Sequence, residues 1–391
     1  TMKKQENLNT NRKKALFVVT LAVFTDMFIH GMIVPILPIY AGSLGISQTA
    51  LGFLFGSYAL ALLITTPIFG MISDKLGRRG PMLWGILGLA AATLLFAFAN
   101  TFWFLLLARI LQGCAAAITW TAGLALLADF YPSEERGQAM GIALSGQAMG
   151  ILVGPSLGGW LYQIGGYMFP FFVAAGMAVL DGLLRLLLLK EEPHREKQTE
   201  QQPFELLRNQ HFLLIVGAVM IGAAVPSALQ PTLPARFEEV FHATPLVIGL
   251  LFAVPTIAYA VIAPLIGRLS TKLGHARMTV LGFIITALAM AFVTLPSNIY
   301  LEIAALSLIG IGMGMILAPS LPRMADLAQE KENASYGFTF AIYNTAYSVG
   351  MMMGPVLSGL LSENFGLQWA YVILAGAIVL YMMIFASHLN H

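Results

Sequence analysis

Twelve apolar runs, each long enough to cross a bilayer, dominate this 391-residue chain. They lie at about 15–40, 49–72, 81–99, 102–129, 138–164 and 168–189, and again at about 211–235, 244–267, 278–296, 299–325, 336–361 and 367–387. A helix rises about 1.5 Å per residue, so about 20 apolar residues span the roughly 30 Å hydrocarbon layer. Backbone polar groups in hydrocarbon must satisfy one another, which for runs of this length means helices. The expected fold is therefore an all-α membrane protein of twelve transmembrane helices. Charged residues are 10% of the chain, against about 25% in soluble domains, which excludes an ordinary soluble fold. The single cysteine, Cys114, excludes an intramolecular disulfide and a multi-cysteine metal site. There is no phosphate-binding P-loop and no HExxH zinc motif, so ATP-driven pumping and zinc hydrolysis have no support. No enzyme activity, cofactor, metal or nucleic acid is expected. The first run is too long for a cleavable signal peptide, and the native start is expected at Met2.

Lys and Arg set the expected orientation. Lys3, Lys4, Arg12, Lys13 and Lys14 precede the first run, Lys75, Arg78 and Arg79 follow the second, and Arg136 follows the fourth. Lys190, Arg195, Lys197 and Arg208 fill the polar segment 190–210, and Arg268, Lys272, Arg277 and Lys331 follow the eighth and tenth runs. The alternate loops carry almost no bases, Arg236 excepted. Both termini and the 190–210 loop are thus expected to be cytoplasmic. They bound an N-terminal six-helix bundle over 1–189 and a C-terminal one over 211–391. A monomer is expected.

The two halves are copies. FGMISDKLGRRGPMLWG from Phe69 matches IGRLSTKLGHARMTVLG from Ile266, sharing Gly70/Gly267, Ser73/Ser270, Lys75/Lys272, Gly77/Gly274 and Gly85/Gly282. Pro35 and Pro38 match Pro231 and Pro234, and GILVGPSLGG from Gly150 matches GMMMGPVLSG from Gly350. Both copies start on the same face, so the repeat is parallel, about an axis along the membrane normal. Such repeats place a substrate site between the halves near the midplane and work by rocking about it.

One residue breaks the symmetry. Asp26 lies in the first apolar run, roughly 16 Å deep at about 1.5 Å per residue from Ala15. A charge there costs about 2.5–3.5 kcal/mol on the insertion scale. Gly222 holds the matching position in the second half, so the acid is not part of the repeated scaffold. It is expected to bind a cation, a proton, or each in turn. His30, one turn on, either shares its protons or fills a half-buried core position. Tyr343 and Tyr347 lie on one face of the eleventh run beside Asn344. With Tyr58, Phe252 and Tyr259 they are candidates for an aromatic wall around an organic cation, though each singly is more often core packing.

Other motifs carry a second layer of expectation. Gly70-x-x-x-Asp74-Lys75-x-Gly77-Arg78-Arg79 joins the second and third runs; its glycines permit a tight turn and close helix approach. Arg136 is the candidate partner of Asp74 in a gating pair, and the plain alternative is that these bases only set topology. Gly146, Gly150, Gly154 and Gly158 recur every four residues, giving a helix face without side chains, and Pro155 favours a bend. That face reads either as packing alone or as a seal that pivots during switching. Arg109, deep in the fourth run, must keep partners because it stays charged, and Gln112 is its local companion. It reads as a structural arginine or as part of proton coupling. Asp181 and Arg185 form a favourable i, i+4 pair by spacing. Asp129 and Asp326 stand at matching helix ends, with Arg323 the expected partner of Asp326.

Together these motifs resemble the major facilitator superfamily over essentially the whole chain. Arg109-Ile-Leu-Gln112-Gly113 and the Gly146–Gly159 glycines resemble motifs of its proton-coupled drug antiporters. Asp26 followed by Pro35-x-x-Pro38, and the stretch from Glu135 to Asp181, resemble the vesicular monoamine transporters and their bacterial relatives. The resemblance implies a multi-pass protein of a bacterial inner membrane that exports amphipathic organic cations, monoamine-like or multidrug, in exchange for protons. The alternative is a proton-coupled transporter of a neutral metabolite, with Asp26 binding protons only. The chain departs from that branch at Tyr58, where the relatives carry a lysine, and at Gln230, Gly314 and Asn344, where they carry acids. Asp26 then stands alone, which implies one proton per cation.

Overall fold

The computed structural model describes residues 2–189, 204–329 and 336–388. Most of the expected 190–210 loop lies outside them, as do the side chains of Asp74 and Arg136, so that gating pair is not described. The helices of the first half are α1 (Met2–Met32), α2 (Leu37–Ser43), α3 (Gln48–Leu76), α4 (Arg79–Phe98), α5 (Phe102–Phe130), α6 (Ser133–Gly165) and α7 (Met168–Leu188). Those of the second are α8 (Gln210–Leu229), α9 (Leu233–Phe241), α10 (Pro245–Leu273), α11 (His275–Phe292), α12 (Ile299–Leu317), α13 (Ser320–Gln329), α14 (Tyr336–Phe365) and α15 (Leu367–Ser387). Among the described residues there are no strands. Among the described residues, eleven segments are long and apolar enough to cross a membrane, and α14 is a twelfth long helix.

The short helices α2 and α9 follow from Pro-x-x-Pro. Pro35 and Pro231 sit in the turns that interrupt the first and seventh spans, while Pro38 and Pro234 open the continuing helix, where a missing N–H costs nothing. The motif loop also repeats at backbone level: Gly77 and Gly274 both take positive φ, +83° and +94°, ending α3 and α10. A Cβ at Gly70 would meet nothing within 4 Å among the described residues.

Packing divides the chain into two units. The first is Thr1–Leu44, Ser57–Lys197 and Thr244–Gly249; the second is Gly45–Gly56, Gln198–Ala243 and Leu250–His391. Inside each unit the same pairs dominate. In the first, α1 packs on α6 and α4 on α5 and α7; in the second, α8 packs on α14 and α11 on α12 and α15. Glycines set the closest approach. A Cβ at Gly150 would stand 2.8 Å from Phe24 O and Phe28 N, and one at Gly154 would stand 2.7 Å from Phe28 O. Their counterparts Gly350 and Gly354 lie against the carbonyls of Met220 and Ala224. These helices therefore touch backbone to backbone, where dispersion and not the hydrophobic effect holds helices together in lipid. Gly150→Leu should cost about 1–3 kcal/mol by overpacking. Chemical denaturation in detergent would show it, and a wild-type midpoint would mean that α1 and α6 separate easily.

Buried ion pairs tie each unit. Arg185 contacts Asp181 at 2.6 Å, both side chains at most 1% exposed, and donates to Met82 O. Arg78 is buried and donates to Asp129 at 2.9 Å and to Ser73 Oγ at 3.0 Å. In the second unit Arg236 donates to Glu302 at 3.2 Å and to the carbonyl of Pro296. The expected Arg323–Asp326 pair does not form among the described residues. Spacing along a helix permits such a contact without requiring it, and Arg323 turns instead to a cavity.

Candidate substrate and coupling site

Asp26 stands halfway along the span Thr10–Ser43 and is wholly buried. Three helices supply its surroundings. Tyr58 of α3 donates its hydroxyl to Asp26 Oδ2 at 3.1 Å, and Trp120 of α5 donates its indole N–H to the same oxygen at 2.9 Å. The other oxygen, Oδ1, is buried and has no hydrogen-bond partner among the described residues. Behind this pair, the Arg109 guanidinium lies over the Tyr58 ring, 5.1 Å from its centroid, and donates to Gln112 Oε1 at 2.8 Å. His30 packs its ring 4.5 Å from that of Tyr58, and neither of its nitrogens is hydrogen-bonded among the described residues.

Asp26, His30, Arg109 and Gln112, singled out from sequence, thus share one cluster. Tyr58, expected only as a wall residue, is the link between the acid and the arginine. Trp120 was missed. Its signal was a polar indole N–H in the middle of a span, a group that must find an acceptor in a membrane interior. Hydrogen bonds to charged groups are worth about 1.5–3 kcal/mol, so Trp120→Phe should lose about that much stability. Most of the loss should vanish when Asp26 is already leucine. Equal losses in both backgrounds, in denaturation midpoints, would show that the indole acts through packing alone.

The repeat register isolates the cluster further. Gly113 lies against Tyr58 O, and Gly310 lies against Pro255 O in the same way. By this register, Asp26, Tyr58, Arg109, Gln112 and Trp120 correspond to Gly222, Pro255, Leu306, Ile309 and Leu317. A Cβ at Gly222 would stand 2.6 Å from a Leu317 methyl, so an apolar contact replaces the acid–indole bond. The whole polar constellation belongs to one copy.

The remaining candidates lie in the second unit. Tyr343 and Tyr347 stack with centroids 6.5 Å apart, and Phe252 packs 6.1 Å from Phe237. Tyr259 is half-buried near Gly314, and Gln230 caps α8 at the break before α9. Asn344 is exposed and donates its amide to Phe340 O. Of the gating candidates, Arg78 pairs with Asp129, and Gly150, Gly154 and the buried Pro155 lie in α6.

A repeated helical build of this kind, with its polar centre inside a span, defines a multi-pass membrane transporter. The model of the Major Facilitator Superfamily matches residues 19–236 and 220–389, and the chain belongs to that superfamily. It is similar to the synaptic vesicular amine transporter of Bos taurus, 33% identical over 83% of this chain and 63% of that protein. It is also similar to the chromaffin granule amine transporter of Rattus norvegicus, 32% identical over 85% of this chain and 64% of that protein. The chain thus spans just under two thirds of the length of these relatives. Among solved structures, a bacterial homologue of the human lysosomal transporter Spinster superposes with a TM-score of 0.80 at 17% identity, covering 96% of both chains.

Proposed function

We propose that this transporter exports amphipathic organic cations, monoamine-like or aromatic, in exchange for protons, with Asp26 holding proton and ammonium in turn. One observation carries the reading: a wholly buried carboxylate has one oxygen saturated by neutral donors and the other without a partner among the described residues. Tyr58 and Trp120 hold Oδ2 and fix the carboxylate plane, which leaves Oδ1 to bond either a proton or an N–H of the substrate. Tyr58 and Trp120 put aromatic side chains beside the acid, and aromatic rings attract desolvated ammonium groups. The names of the similar proteins, amine transporters both, support the same substrate class. The Lys and Arg excess in alternate loops supports cytoplasmic termini, in what we read as a bacterial inner membrane.

A second reading rests on the burial itself. At 0% exposure Asp26 is accessible to a proton but not, without rearrangement, to an amine. A proton-coupled carrier of a neutral metabolite would use it that way. Counterflow in proteoliposomes separates the two. On the antiport reading, internal unlabelled amine drives uptake of labelled amine, and a pH gradient replaces it. With one acid, one proton exchanges for one monovalent amine and no net charge moves. Each pH unit then supports about tenfold accumulation, and imposed voltage alone supports none. Absence of counterflow with a panel of amines, or accumulation driven by voltage at equal pH, would contradict the proposal.

A further inference from the structure

The second unit holds a cavity of about 330 Å³ that the transport cluster does not use. His211 of α8, His275 of α11, Arg323 of α13 and His388 beyond α15 converge on it, and among the described residues no acid lines it. The repeat shows that this is a substitution of chemistry and not loose packing. In the same register, His211, Thr279, Arg323 and His388 stand where the first unit has Ala15, Met82, Leu126 and Leu188. Those four belong to one packed apolar cluster of the first unit. Four apolar positions have thus become polar together, three of them cationic or able to be. His275 in turn stands where Arg78 bonds Asp129 and Ser73 in the first unit.

The polar atoms are available. His275 Nδ1 is buried and has no hydrogen-bond partner among the described residues. His388 engages Nδ1 with Ile384 O at 2.9 Å, which leaves its Nε2. Arg323 makes no ion pair among the described residues. His275 opens α11 and His211 lies in the first turn of α8. Asn209 caps the His211 and Phe212 N–H groups, however, and the C-terminal end of α15 also reaches the cavity at His388, so the basic side chains and not the helix ends supply its positive charge. No group of histidine, cysteine and acid side chains among the described residues is arranged to hold a metal. Donors without acids, gathered beside apolar Leu214 and Phe385, suit an anion attached to an apolar body.

We propose that this cavity binds a phosphate group, with Arg323 and His275 as its principal ligands. The group comes from an anionic phospholipid headgroup or from free phosphate, and basic pockets between membrane helices do take lipid headgroups. The test uses the full chain in neutral detergent, titrated with phosphatidylglycerol, with phosphate-free diacylglycerol and with inorganic phosphate. Native mass spectrometry and thermal unfolding report binding. Phosphatidylglycerol should bind and raise the unfolding temperature, diacylglycerol should not, and Arg323→Gln and His275→Gln should each weaken binding about tenfold or more, as lost charge-assisted contacts do. A response to inorganic phosphate as well would assign the free ion as the source, and its absence would assign the lipid. Should Arg323→Gln not fold, His211→Gln at an exposed position should still weaken binding measurably. Equal binding of diacylglycerol, or unchanged binding in the variants that fold, would overturn the proposal.

Discussion

Asp26→Asn is expected to abolish amine accumulation driven by a pH gradient while leaving the fold intact. A carboxylate and an ammonium about 4 Å apart attract by about 4 kcal/mol at an effective dielectric of about 20. Desolvation removes part of that gain, so amine binding is expected to weaken about a hundredfold, since each factor of ten is about 1.4 kcal/mol, and gradient drive is lost with the exchangeable proton. The amide oxygen of asparagine can still accept from Tyr58 and Trp120, the two donors that hold Asp26 Oδ2. The variant removes the charge and the exchangeable proton without removing the contacts. Uptake in proteoliposomes and an unfolding temperature measured on the same sample separate the two effects. Transport near wild type would end the proposed role of this acid.

Arg185→Leu is expected to be the most destabilising single change, costing about 3–5 kcal/mol. Both members of its pair with Asp181 are at most 1% exposed, and the arginine also bonds Met82 O. Removing the cation alone leaves a buried carboxylate with nothing to balance it. Removing both charges, as Asp181→Leu with Arg185→Leu, should recover most of the loss, because the desolvation cost of the pair disappears with its attraction. Denaturation midpoints of the two single variants and the double variant measure this directly. A double variant no better than Arg185→Leu would show that shape, and not charge, dominates the site.

Much of this is legible in the sequence. Span length and hydropathy set the helices, because a membrane leaves the backbone few alternatives. Pro35-x-x-Pro38 and Pro231-x-x-Pro234 marked the two helix breaks, and the repeat marked Asp26 as the position without a counterpart. The partners of that acid were not legible. Tyr58 and Trp120 are 32 and 94 residues away in sequence, and their approach depends on how α1, α3 and α5 are rotated about their axes. Short-range spacing identified Asp181–Arg185 and Arg109–Gln112, where i+4 and i+3 contacts form. The same rule failed for Arg323 and Asp326, since a surface pair gains little and the guanidinium has a polar cavity to enter. Arg236–Glu302 was missed for the opposite reason: its 66-residue separation leaves no local trace.

The central claim is that one carboxylate serves proton and amine in competition. Proton release on amine binding tests it most directly, with the purified protein in weakly buffered detergent solution and a pH-sensitive dye, across a series of starting pH values. The account predicts that below the titration midpoint of the site each amine bound displaces one proton. It predicts that the displacement fades as the pH rises through that midpoint, and that Asp26→Asn binds amine far more weakly and releases no proton. Amine binding that displaces no proton at any pH, or binding of undiminished strength in Asp26→Asn, would contradict it.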